Sequence, residues 1–542
     1  MTNLEIPVGK RTKAYRFFEM LPAIISYGSI LLLIVLSIFN PLIAAVYLLA
    51  IIITTLIKAV GIAYHTIAGR DQIEKAQKVD WHKRLMQLEN PEKSLHGIAV
   101  DKREFAYKAH LTNLRDIATQ SEDYPKPSQI YNAVIIATYN ESYDILQPTI
   151  QSLVDTSYDR DHLIVVIAYE ERGGDAIEKT VQRLAKEFKG EFKDLLLVKH
   201  PQDLPNEVRG KGGNITYAGF YLKDWLKKKK IEYKNVIVTT LDSDNRTHAT
   251  YFDYLTYEYI VRPDRRYLSY QPVCLFINNI WDVPAPMRVV ATGNSFWNII
   301  SSVRPHTLRN FASHSQPMDA LVDMDFWSTR TIVEDGHQYW RSYFYFKGNY
   351  GVVPIYVPIY QDAVLSSTYL KTLKAQFIQL RRWAYGASDV PYVATRIFTR
   401  HREVPLGPGL ARLIRLIDSH VTLASVAILI AGGGWVPLFV NKQAAHSIAA
   451  HQLPEVISHI QQVALVGLFI TVFLAFKMLP PRPLRYKRHR TIGMVLQWVL
   501  MPVTAIVYSS ASAFTSQTAL LIGHYFDKFD VTEKATVKDK KK

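Results

Sequence analysis

The chain contains a single cysteine, Cys274, in 542 residues. An intrachain disulfide is therefore excluded, which suits a protein that works in a reducing compartment. Asp, Glu, Lys and Arg are absent from residues 21–57. This uncharged run is too long for a cleaved signal peptide, whose apolar core is single and short. As a helix, the run would be about twice as long as the hydrocarbon layer of a bilayer is thick.

The dipeptide Asn40-Pro41 divides this uncharged run near its middle. Because proline disfavours helix at the residue before it, we predict two antiparallel membrane helices that meet at this turn. Other blocks without Asp, Glu, Lys or Arg follow the polar middle of the chain, at 421–440, 457–476 and 491–526. The last block is long enough for a hairpin or for one span and an interfacial helix. Six spans fit the whole pattern best.

The formal net charge of +16 comes largely from basic clusters that flank these blocks. By the positive-inside rule, the clusters at 10–16, 482–490 and 538–542 lie in the cytoplasm. Both termini and the long middle of the chain are then cytoplasmic, in a multi-pass protein of the inner or plasma membrane. We assign the charge to contacts with anionic lipid headgroups of the bilayer. No nucleic-acid-binding signature accompanies it, and the lysine run 227–230 suits a solvated helix end.

Composition divides the chain into six predicted regions. They are an N-terminal membrane region of two helices (1–65), a cytoplasmic linker (66–125), an α/β domain (126–385), interfacial helices (386–415), a C-terminal membrane region of about four helices (416–526) and a basic cytoplasmic tail (527–542).

The predicted α/β domain begins with apolar runs that recur about every 30–40 residues, as in parallel βαβ units. The candidate strands are 132–137, 163–168, 195–198 and 236–240. Amphipathic segments at 145–154 and 176–188 lie between them. The pattern predicts a Rossmann-like, mostly parallel sheet, in which ligands bind at the carboxyl ends of the strands.

Two carboxylates, Asp242 and Asp244, follow the fourth candidate strand directly. Mg²⁺ usually takes one or two carboxylates plus phosphate oxygens. The pair therefore suits a cation that is held against the phosphates of a nucleotide, although an Asp-x-Asp triplet also occurs in ordinary turns.

Three more polar loops follow strands or precede helices in the same domain. Residues 138–141 (Thr-Tyr-Asn-Glu) follow the first strand, and 170–172 (Glu-Glu-Arg) follow the second ahead of a glycine pair. A tight turn with solvent-facing acids explains the second loop equally well. Residues 209–214 combine glycines with basic side chains, which suits a backbone cradle for phosphate. A simple basic loop is the alternative.

Two constellations lie further downstream. Glu334 and Asp335 form an acidic pair, and a helical run then places Gln379, Arg382 and Trp383 on one face. An amide, a guanidinium and an indole together can hydrogen-bond a sugar, pair with a diphosphate and stack on a pyranose ring. An interfacial helix with its indole at the headgroup level is the alternative.

In this order, the motifs resemble those of the family 2 membrane glycosyltransferases, the group of cellulose, hyaluronan and chitin synthases. Their signature is written D, DxD, D, QxxRW. Residues 242–244 match DxD, 333–335 match the TED-type motif and 379–383 match QxxRW without a gap. Residues 211–214 look like the Lys-Ala-Gly-Asn segment of the family, and 138–141 look like its first-strand turn.

The resemblance covers about residues 130–390 and implies a GT-A catalytic domain inserted in an α-helical membrane bundle. It implies inverting transfer of a sugar from a nucleotide-diphosphate sugar, with UDP the usual carrier and Mg²⁺ or Mn²⁺ held by Asp244 and Asp242. Asp335, beside Glu334, is implied as general base, with Arg382 assisting the leaving diphosphate. Trp383 is implied as the acceptor platform. The implied donor-binding residues are Thr138, Tyr139, Glu141, Glu170, Glu171, Lys211, Asn214, Asp242, Gln379 and Arg382.

The chain departs from the family pattern at two motifs. Where the family usually has Asp-Asp-Gly, this chain has Glu170-Glu171-Arg172, whose acids are one methylene longer, so recognition of the donor base is expected to differ. Val333 replaces a threonine. A C-terminal regulatory domain like that of bacterial cellulose synthases is not expected.

Two acceptors fit the resemblance. One is a growing polysaccharide that leaves through a channel in the membrane helices, and the other is a lipid, as in ceramide-type glucosyltransferases, which share the QxxRW pattern. A non-catalytic transporter or sugar-nucleotide-binding scaffold is the alternative from another class. It predicts that Asp242, Asp244 and Asp335 can be replaced together without loss of function. The sugar, its linkage and any export partner stay open.

Overall fold

The computed structural model describes residues 4–97, 104–442 and 448–526, together with Lys534. The described helices are α1 (Lys13–Phe39), α2 (Pro41–Ala76), α3 (Trp81–Met86), α4 (Pro91–Gly97), α5 (Tyr107–Thr119), α6 (Tyr143–Val154), α7 (Gly174–Glu187), α8 (Lys211–Lys229), α9 (Tyr251–Ile260), α10 (Ala285–Ser302), α11 (Met318–Asp323), α12 (Glu334–Tyr345), α13 (Tyr369–Ala384), α14 (Asp389–Ile397), α15 (Leu406–Gly432), α16 (Val436–Val440), α17 (Ile448–Met478), α18 (His489–Leu496), α19 (Met501–Thr504) and α20 (Ala511–Ile522). The described strands are β1 (Tyr131–Thr138), β2 (Leu163–Glu170), β3 (Asp194–His200), β4 (Val236–Asp242), β5 (Arg246–Thr247), β6 (Leu268–Leu275), β7 (Ser315–Pro317) and β8 (Gly351–Tyr360).

The first two helices are separated at Asn40, as the sequence predicts. The Asn40 side chain caps α2 by accepting hydrogen bonds from the backbone N–H groups of Leu42 (3.1 Å) and Ile43 (3.3 Å). Pro41 occupies the first helical position, where its missing N–H has no cost. A proline after a capping asparagine therefore ends one apolar helix and begins the next.

Four helical segments in the described part of the chain are long and apolar enough to cross a membrane. They are Lys13–Phe39, Pro41–Ala76, Leu406–Val440 and His489–Ile522. This finding agrees with the prediction of a membrane protein, and the side on which the α/β domain lies remains a prediction.

The two other predicted spans are 457–476 and the second of two helices within 491–526. The segment 457–476 lies within α17, but the side chains of 463–471 are outside the described residues. The block 491–526 contains one helical stretch, from α18 to α20 through a π-helical turn at Ala505–Ser510, where a hairpin was one expectation. The predicted tail, 527–542, lies outside the described residues except for Lys534.

The described strands form one eight-stranded sheet in the order β3-β2-β1-β4-β7-β6-β8-β5. The four strands predicted from the sequence are its parallel half, in which β1 pairs with both β2 and β4. The other half is mixed, because β7 runs antiparallel to β4 and β6, and β5 runs antiparallel to β8. The sheet as a whole is therefore mixed, whereas a mostly parallel sheet was expected.

The strands β1, β2 and β4 of the parallel half are buried on both faces because most of their residues are apolar. On one face, Val134 and Ile136 of β1 belong to a core that includes Leu146 of α6. On the other face, Ala133 and Ile135 pack in a second core with side chains of α8 and α11. Helices on both faces leave the carboxyl ends of the strands as the open edge, where polar side chains can gather.

Candidate active site

The polar loops singled out in the sequence meet at one edge of the sheet. In the parallel register, Thr138 at the end of β1 lies opposite Tyr169 of β2, and Ala137 lies opposite Asp242 of β4. The carboxyl ends of these three strands are thus level. The side chains that follow each strand enter the same space.

The turn after β1 is organised by Glu141. One oxygen of this carboxylate accepts hydrogen bonds from the Thr138 hydroxyl (2.7 Å) and from the backbone N–H of Tyr139 (2.8 Å). Burial opposes ionisation of Glu141, but the Lys534 ammonium and these hydrogen bonds outweigh it and lower its pKa. Glu141 therefore stays negatively charged at this edge.

The loop after β2 lies against this turn. Glu170 is buried and forms an ion pair with Arg172, whose guanidinium lies 5.2 Å from the centre of the Tyr139 ring. Burial raises the pKa of Glu170, and Arg172 partly opposes the shift. A methyl group on Gly173 would lie 2.0 Å from the Tyr139 carbonyl oxygen, so only glycine allows the two loops this close.

The glycine-rich loop at 209–214 leads into α8 and supplies two of the predicted side chains. Asn214 is buried, and its side-chain amide donates to the backbone carbonyls of Thr138 (3.3 Å) and Ala168 (2.9 Å). It thereby joins the ends of β1 and β2. A Cβ at Gly212 would lie 2.5 Å from the Ser328 carbonyl oxygen, so the loop packs tightly against the chain that leads to α12.

Lys211 and Asp242 form the central ion pair of the edge. The Lys211 ammonium lies 2.6 Å from the Asp242 carboxylate and 4.0 Å from that of Glu334. Burial opposes ionisation of Asp242, but the positive charges of Lys211 and Lys534 lower its pKa to about 2. Asp242 is therefore charged at every pH near neutrality.

Asp244 lies in the turn that follows β4. Its carboxylate is 3.0 Å from the ammonium of Lys534, which also donates to the Ser243 hydroxyl at 2.8 Å. The Asn278 side chain donates to the Asp244 backbone carbonyl and to that of Tyr360, both at 3.2 Å. The turn is thus tied to the end of β8.

Glu334 and Asp335 begin α12 on the far side of Lys211. Glu334 is buried, and burial together with the charge of Asp335 raises its pKa above the ordinary range. Burial also raises the pKa of Asp335, while Lys211 and Arg382 lower it in part. A half-buried carboxyl group with a raised pKa is suited to accept a proton from a reacting hydroxyl.

The α13 helix carries the remaining predicted residues. The positive charge of Arg382 lowers the pKa of Asp242, of Glu334 and of Asp335. Trp383 is 38% exposed, and its ring centre lies 6.1 Å from that of Phe276. Gln379 accepts a hydrogen bond from Gln376 at 3.1 Å.

The structure therefore brings most of the predicted residues into one site. Glu171 is the clearest departure from the cluster, because its exposed side chain accepts from the Gln202 backbone N–H at 3.1 Å. Gln379 and Trp383 share the helix of Arg382, and their described contacts are with Gln376 and Phe276. The residues gathered at the edge are Thr138, Tyr139, Glu141, Glu170, Lys211, Asn214, Asp242, Asp244, Glu334, Asp335 and Arg382.

One carboxylate at this edge was missed in the sequence. Asp362 follows β8, and the antiparallel pairing of Arg246 with Tyr360 places it opposite Asp244 when the register is continued. One of its oxygens is buried without a hydrogen-bond partner. Burial and the nearby charge of Asp244 raise the pKa of Asp362 to about 7. An acid two residues beyond a strand end was the available signal, but β8 itself was not predicted.

Comparisons with known proteins gave structural likenesses only. No family model and no curated protein matches the chain. A mannosyltransferase from Pyrobaculum calidifontis, solved with GDP-Man and Mn²⁺, is 16% identical over 83% of this chain and 98% of its own, with a TM-score of 0.39. TarS from S. aureus, residues 1–349 solved with UDP-GlcNAc, is 12% identical over 73% and 93%, with a TM-score of 0.34. Because these scores are low, the function of this chain has to be argued from its own residues.

Proposed function

We propose that the protein is an inverting membrane glycosyltransferase that transfers a sugar from a nucleotide-diphosphate sugar to a growing polysaccharide. The observation that carries the proposal is the position of Lys211 at the sheet edge, 2.6 Å from Asp242 and 4.0 Å from Glu334, one member of each of the acidic pairs Asp242/Asp244 and Glu334/Asp335. Asp242 is held as a carboxylate by Lys211 and Lys534, whereas burial raises the pKa of Glu334 and of Asp335. This division suits a diphosphate leaving group on one side and an attacking hydroxyl on the other.

The charged side of the site fits a divalent cation, Mg²⁺ or Mn²⁺. The Asp244 carboxylate already contacts a positively charged group, the Lys534 ammonium. A buried oxygen of Asp362 lies nearby without a hydrogen-bond partner. Over the described residues, no group of three or more His, Cys, Asp or Glu side chains is arranged to hold a metal. That finding is compatible with Mg²⁺, which needs only one or two carboxylates when phosphates supply the other oxygens. Asp244, with Asp242, would hold the ion, and Asp362 would support the site from outside the ligand set.

When bound, the cation supplies charge neutralisation to the leaving diphosphate. The chain adds its own positive charges, because Lys211 contacts Asp242 at 2.6 Å and the charge of Arg382 acts on the same carboxylate. Arginine presents forked donors that match phosphate oxygens. These two side chains therefore orient the diphosphate and stabilise its charge as the bond to the sugar breaks.

Asp335 is the general base in this proposal. The acceptor oxygen attacks the anomeric carbon, its proton passes to the Asp335 carboxylate, and the bond to the nucleoside diphosphate breaks in the same displacement. The configuration at the anomeric carbon inverts as a consequence. Asp335 is half-buried and near Lys211, so its carboxylate form is kept available despite the raised pKa.

The donor nucleotide is proposed to lie across the ends of β1 and β2. Tyr139 offers a ring face, and Glu141 and Glu170 offer carboxylates for base or ribose hydrogen bonds. The Asn214 side-chain amide joins the two strand ends through its hydrogen bonds to their backbone carbonyls. The Glu170–Arg172 ion pair occupies the position where the related family has its Asp-Asp-Gly motif, so this loop is proposed to set the choice of base.

The acceptor is proposed to approach along α13. This helix leads from the acidic pairs to the membrane helices, since Ser516 of α20 donates to the Arg381 carbonyl at 2.6 Å. Trp383, at the end of α13, offers an exposed indole on which a sugar ring can stack. We therefore place the catalytic domain at the cytoplasmic face, with product export through the membrane helices as an extension of the proposal.

The test is a panel of radiolabelled nucleotide sugars offered to purified membranes with Mg²⁺ or Mn²⁺. We expect one donor to yield labelled product that resists organic extraction and elutes as a polymer. A discrete labelled glycolipid would instead identify a lipid acceptor. A triple variant, Asp242→Asn, Asp244→Asn and Asp335→Asn, is the control for catalysis. Full activity of that variant would contradict the enzyme proposal and favour a transporter or scaffold.

A further inference from the structure

A lysine from the end of the chain lies in the charged half of the site. The Lys534 ammonium contacts the Asp244 carboxylate at 3.0 Å and the Ser243 hydroxyl at 2.8 Å. The side chains of Lys534 and Asp244 are only 21% and 10% exposed. This contact between Lys534 and Asp244 is called the tail contact below. It joins two residues 290 positions apart in the sequence, so it is not a consequence of local chain geometry.

The charges around Lys534 explain why its ammonium lies there. Burial opposes its charge, but Asp244, Glu141 and Asp242 together raise the pKa of Lys534 above that of a free lysine. In return, Lys534 lowers the pKa of Glu141 and of Asp242. The tail contact therefore neutralises part of the negative charge that would hold the proposed cation.

The chain that leads to Lys534 starts from a fixed point. The Tyr525 hydroxyl donates to Glu19 of α1 at 2.9 Å, and the Phe526 ring lies 4.6 Å from that of Tyr385. Arg381, beside Arg382 on α13, lies 4.9 Å from the centre of the Phe526 ring. Eight residues beyond Phe526 can span at most about 29 Å, so Lys534 lies within that distance of Phe526, which contacts α13 close to the acceptor end of the site.

We propose that Lys534 is autoinhibitory, and that its ammonium competes with the divalent cation for the Asp244 carboxylate. The inference rests on the proposed function, since it assigns a cation to that carboxylate. An ammonium 3.0 Å from the Asp244 carboxylate repels a divalent cation bound to the same group, so the cation binds well only when the ammonium has left. The cation therefore binds only to the fraction of molecules in which the tail contact is open, and its apparent affinity falls by that fraction.

The experiment measures Mn²⁺ binding to the full-length protein in detergent, with Mn²⁺ alone and no donor. Free Mn²⁺ is followed by its electron paramagnetic resonance signal, so the readout does not depend on activity. We expect Lys534→Gln to lower the Kd for Mn²⁺ about tenfold, because the competing charge is gone. Lys534→Arg keeps the charge and should bind Mn²⁺ as the wild type does. Lys541→Gln removes the same charge from the same tail and should leave the Kd unchanged.

The results that overturn the inference are distinct. An unchanged or higher Kd in Lys534→Gln would show that Lys534 does not compete with the cation. An equal drop in Lys541→Gln would assign the effect to the net charge of the tail. Asp244→Asn, measured in the same way, separates this inference from the proposed function. If Asp244→Asn loses Mn²⁺ binding but Lys534→Gln does not bind Mn²⁺ more tightly, only the autoinhibition is contradicted. If Asp244→Asn binds Mn²⁺ like the wild type, the proposed cation site itself is wrong.

Discussion

The two acidic pairs of the site have similar side chains and different electrostatic surroundings. Asp242 and Asp244 each contact a lysine ammonium, at 2.6 Å and 3.0 Å, and the pKa of Asp242 falls to about 2. The Glu334 carboxylate lies 4.0 Å from Lys211, at the edge of ion-pair distance, and burial raises the pKa of Glu334 and of Asp335. In the proposed function these surroundings give the two pairs separate roles, with Asp242 and Asp244 as the fixed-charge pair and Glu334 and Asp335 as the proton-accepting pair.

The largest expected effect is from removing the proton acceptor. Asp335→Asn should reduce sugar transfer by about 10²–10⁴-fold, because an amide cannot accept the proton of the acceptor hydroxyl. Donor binding should stay near that of the wild type, since the fixed-charge pair is intact. Initial rates and equilibrium binding of the donor nucleotide measure the two quantities.

The matched control for this substitution is Asp224→Asn, which removes an exposed carboxylate from α8. It should leave the transfer rate unchanged. Turnover of Asp335→Asn close to that of the wild type would show that another group accepts the proton. The proposed difference in role between the two acidic pairs would then be wrong.

A smaller effect is expected from the carboxylate that was missed in the sequence. Asp362→Asn should weaken Mn²⁺ binding on the order of 10–100-fold, as outer carboxylates of metal sites commonly do when replaced. Electron paramagnetic resonance titration of free Mn²⁺ measures the change. If Asp362→Asn binds Mn²⁺ like the wild type, the raised pKa of Asp362 reflects burial and the charge of Asp244 without a role in holding the ion.

The pH dependence of catalysis tests the proton-accepting pair directly. Activity should fall as the pH drops through the raised pKa of Asp335, because protonation removes the base. Lys211 lowers that pKa, so Lys211→Gln should move the acidic limb of the kcat/KM profile upward by about one pH unit or more. Lys228→Gln, at the exposed end of α8, serves as the charge control. If the acidic limb does not move in Lys211→Gln, a group other than Asp335 sets that limb.

The smallest effect is expected at the acceptor end. Trp383→Ala should raise the KM for the acceptor roughly 2–10-fold, the range of one stacking contact, and should leave the KM for the donor unchanged. Trp383→Phe retains a ring and should recover part of the loss. Equal changes in both KM values would mean that Trp383 shapes the whole site through its contact with Phe276.

Much of the parallel half of the sheet could be predicted from the sequence. Its strands are short apolar runs at regular spacing, and the polar residues that follow Thr138 and Asp242 mark the strand ends. The reason is physical, because strands buried on both faces need apolar residues at every position. The meeting of Lys211 with Asp242 follows from the same order of elements.

The mixed half could not be predicted in the same way. β7 and β5 contain three and two residues, too few to show a period. β8 carries two prolines, Pro354 and Pro358, which argue against a strand in a sequence reading. Asp362 and Lys534 therefore had no predicted element to place them, and both reach the site through long-range packing.

The close approach at Gly173 has a consequence for how the donor pocket moves. With no side chain between them, the two loops after β1 and β2 touch backbone to backbone, and neither can shift without pushing the other. In the proposed function these two loops form one side of the donor site and would move together. An opening that admits a donor would then involve the opposite side, where the Asp244 turn and the end of β8 lie.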